Sequence, residues 1–123
     1  MNFYDHPLQV TYKFPASAVL STAGVAGRFI GPKGKRGRVL ACEGLLTTAT
    51  TDAASTITVG TAAAPADALS IDVPVQAINT GVQADEAKIR AGKDLAPDTV
   101  YQVAGGGEAT AGAADITLTV GWF

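Results

Sequence analysis

From Ile116 to Trp122 apolar and small residues alternate without a break: Ile116, Leu118, Val120 and Trp122 fall between Thr117, Thr119 and Gly121. Side chains on a strand point to opposite faces with period two, whereas a helix repeats every 3.6 residues, so this segment reads as a strand with one buried face. The same period recurs in Leu8-Gln-Val10-Thr-Tyr12-Lys-Phe14 and in Leu69-Ser-Ile71-Asp-Val73. Each is followed by a proline, Pro15 or Pro74, a residue with no N–H to give to a ladder. Arg38 to Leu46 is a more continuous apolar run, read as a buried strand interrupted at Gly44, and Ile57-Thr-Val59 and Thr99-Val-Tyr101-Gln-Val103 are short strands.

The intervening segments read as connections. Ala16–Gly27 is a short helix or a loop, Gly31–Gly37 and Thr61–Asp67 are loops, and Thr47–Thr56 is a polar loop. Val75–Ile78 extends the strand beyond Pro74. Gln83–Ala91 is the best helix candidate, with Glu86 and Arg90 spaced i,i+4 but only Val82 and Ile89 as anchors. Residues 105–114 form a Gly/Ala-rich flexible link, which makes the last two strands a hairpin with a long loop.

Short strands, frequent turn residues and at most one or two short helices predict an all-β chain: a single antiparallel β-sandwich or jelly-roll-like domain with an extended N-terminal arm. Residues 1–27 hold the arm, the first strand and a connecting segment, and residues 28–123 hold the sandwich. The length of 123 residues suits one domain. Ala, Gly and Thr number 23, 14 and 14, together 51 residues, so the core is expected to be thin and self-association to cover the edge strands.

The same composition leaves little for catalysis. His6 sits in the arm, where a general base is poorly held, and Cys42 sits in an apolar strand, where burial keeps a thiol protonated. Asp85-Glu86 and the scattered single carboxylates read as solvated surface. No His/Cys spacing suits zinc and no Asp-rich loop suits calcium, so no catalytic residue, cofactor or metal is expected. One cysteine cannot form an internal disulfide. Neither a basic region followed by an apolar run at the N-terminus nor an 18-residue apolar stretch occurs, so no signal peptide and no membrane partner are expected.

Charge is unevenly placed. Residues 1–43 carry six cations against Asp5 and Glu43, a balance of +4, while residues 44–123 carry three cations against nine acids, a balance of −6. The Gly-rich loop Gly31-Pro-Lys-Gly34-Lys-Arg-Gly37 is not a phosphate loop, because Phe29 stands where the leading Gly is needed and Arg36 where a hydroxyl is needed. Collagen-like spacing of its glycines covers only two triplets. The acidic total and the missing aromatic platform weigh against nucleic acid. Lys33, Lys35, Arg36 and Arg38 are therefore read as a patch docking on an acidic protein surface. Phe3 and Tyr4 in the arm and Phe123 at the end of the last strand are read as contacts between chains.

Several features together resemble the capsid decoration, or cement, proteins of tailed bacteriophages. They are Phe29-Ile-Gly-Pro-Lys-Gly-Lys-Arg-Gly-Arg-Val-Leu leading into a strand, the Thr-rich Thr47–Thr58 stretch leading to Ile57-Thr-Val59-Gly, and Leu95-Ala-Pro-Asp-Thr-Val-Tyr. The Gly/Ala-rich loop and the terminal Ala-Asp-Ile-Thr-Leu-Thr-Val-Gly-Trp-Phe complete the set, which spans most of residues 28–123. The resemblance implies a β-rich homo-oligomer, with a trimer favoured, located on the virion and in the host cytoplasm during assembly. It implies the major capsid protein as partner, bound between its subunits on the outer surface. Phage tail and fibre components share the Gly/Ala/Thr-rich style. A carbohydrate- or host-surface-binding module is a third reading, with Tyr4, Tyr12, Tyr101 and Trp122 as its available aromatics.

Overall fold

A computed structural model describes residues 8–17 and 19–123. In chain order its strands are β1 (Leu8–Ser17), β2 (Gly24–Ile30), β3 (Gly37–Thr51), β4 (Ser55–Gly60), β5 (Leu69–Val73), β6 (Gly81–Gln83), β7 (Val100–Gly105) and β8 (Ala111–Trp122), and one helix, α1 (Glu86–Ala91), precedes β7. Counting from the two ends, each strand pairs with its mirror: β1 with β8, β2 with β7, β3 with β6 and β4 with β5, all antiparallel. Rolling up such a long hairpin also brings β3 against β8 and β4 against β7. The result is two four-stranded sheets, β1-β8-β3-β6 and β2-β7-β4-β5. This is the double-sheet arrangement of a jelly roll, and the all-β sandwich expected from the alternation is what the chain forms.

The core lies where the period-two faces meet. Along β8 every second residue from Gly112 to Trp122 is buried, and β5 likewise buries Leu69, Ile71 and Val73. Phe29 is the hub of an aromatic cluster, with ring centroids 4.6 Å from Tyr12, 5.7 Å from Tyr101 and 6.4 Å from Trp122. Two glycines make room for aromatic rings, one of them in this cluster. A Cβ on Gly37 would lie 2.3 Å from Cζ3 of Trp122, and one on Gly27 would lie 2.3 Å from the Phe14 ring. These glycines are sites of close packing in strands, where any side chain would collide with an aromatic ring.

Several connections turn out to be strand. Ala16–Gly27 is neither helix nor loop throughout: β2 begins at Gly24, and its small residues fit beneath Phe14. Thr47–Thr51 continues β3, since β-branched threonine suits the pleated surface, and only 52–54 connect it to β4. The flexible link is shortened from its far side, because β8 starts at Ala111 and pairs with Thr51. The last two strands do not form a hairpin; β7 and β8 lie in different sheets. Pro15 does not end β1, because β1 is an edge strand and absorbs the proline in a bulge between Phe14 and Ser17. Val75–Ile78 is not strand but part of the crossover between the sheets. The helix is shorter than Gln83–Ala91, starts at the Asp85 cap, whose carboxylate accepts from the Lys88 amide, and buries no residue fully.

Overpacking beneath the aromatic cluster supplies a test. Gly37→Ala is expected to lower unfolding free energy by about 1–3 kcal/mol in urea titrations. Gly81→Ala, at a position with open space around it, is expected to change it by less than about 0.5 kcal/mol.

Candidate docking surface

The connection between β2 and β3 is compact because its turn is closed internally. The Lys35 amide donates to the Pro32 carbonyl at 3.2 Å, and Gly34 takes a left-handed conformation (φ 72°) that a side chain would strain. Its two ends are then fastened to neighbouring segments. The Gly31 amide donates to the Thr99 carbonyl and the Asp98 amide to the Gly31 carbonyl, each at 2.9 Å. Gly37 and Leu95 exchange backbone bonds of 2.8 and 2.7 Å, and Arg36 and Phe123 exchange bonds of 3.1 and 2.7 Å.

The loop thus presents its charges from a fixed frame. Lys33 and Arg36 are exposed and Lys35 is half-buried, and none of the three has an ion-pair partner among the described residues. Arg38 differs from them. Its Nη1 lies 3.2 Å from Oδ1 of Asp94, so its charge is already answered within the chain. The free cationic group is therefore Lys33, Lys35 and Arg36, with Arg38 serving to tie the start of β3 to the segment before β7.

Phe123 lies beside this group, placed there by its backbone pair with Arg36, and its side chain is 56% exposed, whereas Trp122 is fully buried. The basic loop and the terminal aromatic, far apart in sequence, share one end of the sandwich. Around the corner, on the outer face of the second sheet, Ile30 and Val100 form an exposed apolar cross-strand pair. Sequence reading missed that pair, although the alternation through Thr99–Val103 already turned Val100 away from the core. Phe3, Tyr4 and His6 lie outside the described residues.

Other chemistries find less to work with. Tyr101 is only 5% exposed and its hydroxyl accepts from the Ala96 amide, Tyr12 stacks on Phe29, and Trp122 is core. These three rings are therefore packed inward and build no stacking platform for a sugar. A hollow of about 320 Å³ is a shallow groove on the outer face of the first sheet lined by Glu43, Leu45, Gln83, Asp115 and Thr117. Asp115 is engaged there by the Ala16 amide. Among the described residues no three metal-binding side chains cluster, and no helix is long and apolar enough to cross a membrane. No family model, curated protein or solved structure matches the chain.

Cys42, 1% exposed on β3, has its thiol pushed up to about 12, first by burial and then by the charge of Glu43. A protonated, enclosed thiol neither attacks nor coordinates. Labelling by a thiol reagent at pH 8 is expected to be negligible in the folded protein and rapid in denaturant. Fast labelling under native conditions would contradict this burial.

Proposed function

We propose that the protein is a non-enzymatic structural component of a tailed-phage virion, which decorates the capsid exterior and stabilises it by binding between major capsid protein subunits. The observation that carries this reading is the rigidly framed end of the sandwich, where Lys33, Lys35 and Arg36 stand without acidic partners among the described residues, beside an exposed Phe123. Such a surface suits docking on an acidic protein face: the cations steer and orient, and the phenyl group supplies apolar contact. Clamping a shell requires area and shape rather than reactive groups, and many weak copies on one particle gain from multivalency. The pattern resemblance adds the shell, the outer surface and a homo-oligomer, with a trimer favoured. Jelly rolls serve several unrelated functions, so the fold alone carries no part of the reading.

The test uses shells that lack the protein. Wild-type protein is expected to co-sediment with them, and Lys33→Glu/Lys35→Glu to be released at lower salt, because exposed charge contacts are screened within roughly 10 Å at 0.1 M salt. Unchanged release would remove the loop from the docking surface. Binding to tails instead of shells would move the protein to the tail or fibre class.

A further inference from the structure

The described loop charges left after ion pairing differ in sign between the two ends of the strands. At the end formed by the β2–β3 connection lie Lys33, Lys35 and Arg36, opposed among the described loop residues there only by Asp98, while Arg38 pairs with Asp94 and Lys93 with Asp67 at 3.6 Å. The described loop side chains there sum to +2, and a carboxylate on Phe123 would leave +1. The other end is set off by the length of β3, whose 15 residues at about 3.3 Å each separate the two ends by roughly 45 Å. That far end presents Asp52 in the β3–β4 connection and Glu108 in the β7–β8 connection, and no cation among its described residues, a sum of −2.

Each end also carries exposed apolar surface. At the basic end it is Phe123; at the acidic end it is Val75 in the β5–β6 crossover. Val75 sits close to the acids: Thr50, two residues before Asp52, donates its hydroxyl to the Pro74 carbonyl at 2.8 Å and receives the Gln76 amide at 2.6 Å. Ser55, paired with Val73 next to Pro74, donates its hydroxyl to Glu108 at 2.9 Å.

We infer that the basic end of one copy docks on the acidic end of a second copy, head to tail. Both halves of this interface are present on one chain, with opposite charge and an apolar group in each. A twofold contact through either end would set like charges against each other, so the complementary contact is the heterologous one. Because the two ends lie at opposite poles of the long axis, each contact leaves one free end of either sign and builds an open row. The inference goes beyond decoration of a shell and does not require one; a docked copy simply turns its acidic end outward, where a second basic end can meet it.

Sedimentation velocity of the full chain tests this over a concentration series. At about 50 mM salt the weight-average sedimentation coefficient is expected to rise with concentration, and at about 500 mM the association constant is expected to fall at least about tenfold. Lys35→Glu/Arg36→Glu makes both ends acidic. Asp52→Asn/Ala54→Lys/Thr110→Lys makes both ends basic while keeping Glu108 on Ser55 and, at position 52, a residue type tolerant of its φ of 69°. Each variant alone is expected to lose the low-salt association, and an equimolar mixture to regain it. Wild-type protein without concentration dependence at low salt, or a variant that still associates alone, would overturn the inference. Circular dichroism melts check that both variants fold. If one does not, the wild-type salt series decides.

Discussion

Gly37 and Trp122 face each other at one end of the β3–β8 ladder, and Thr51 and Ala111 face each other at the other. These are the two longest strands, and their pairing spans the whole molecule. β1 and β6 are added at the flanks of this ladder, and the second sheet packs on its buried face through Phe29, Tyr101, Ile57 and Val103. The pairing is between residues far apart in sequence, so its closure entropy is large and is offset by burial rather than by local hydrogen bonds. The Trp122 ring occupies the space that a Gly37 side chain would fill, which ties the register of the ladder to one glycine. Shifting that register by one residue would turn Ile116, Leu118 and Val120 outward together.

Period two made much of this legible beforehand. β5 lies at Leu69–Val73, and the buried faces of β8 and β1 are the alternating ones, with Val10, Tyr12 and Phe14 packed against the core. The segments misread as connections share one cause. Gly24–Gly27, Thr47–Thr51 and Ala111–Ala114 are made of small or polar residues, and local composition cannot tell a loop from a strand whose neighbour demands smallness. Gly27 lies under Phe14, and Ala114 is fully enclosed between the sheets. Both are small because of a partner distant in sequence. The abundance of Ala, Gly and Thr thus reflects close approach of chain segments as well as turns, and the core is denser than a count of large side chains suggests.

The docking surface was half legible. Lys33, Lys35 and Arg36 announce themselves by composition, and Phe123 by its place beyond the alternating strand. Their meeting was not readable, because it depends on which strand β8 joins. Arg38 shows the opposite limit. In sequence it is one more cation of a cluster; in space the Asp94 carboxylate, carried by the segment after α1, takes it out of the free group.

The charge polarity of the molecule follows from topology more than from the split between sequence halves. In an antiparallel array successive connections alternate between the two ends. The β2–β3, β4–β5 and β6–β7 connections and the end of β8 therefore share one pole, and the β3–β4, β5–β6 and β7–β8 connections share the other. The first group holds every described cation that lies outside the strands, Lys88 and Arg90 of α1 included, and there Lys93 and, at the start of β3, Arg38 pair with acids of the same pole. The second holds Asp52 and Glu108 without a described cation. Acids from the second half of the sequence, such as Asp67 and Asp94, are folded back to the basic pole, where they neutralise two cations and leave the loop triad uncovered. What looks like a basic N-terminal third joined to an acidic remainder is, once rolled up, a body with a cationic pole and an anionic pole. Oriented contact with a surface or with another copy depends on that arrangement rather than on the net charge of −2.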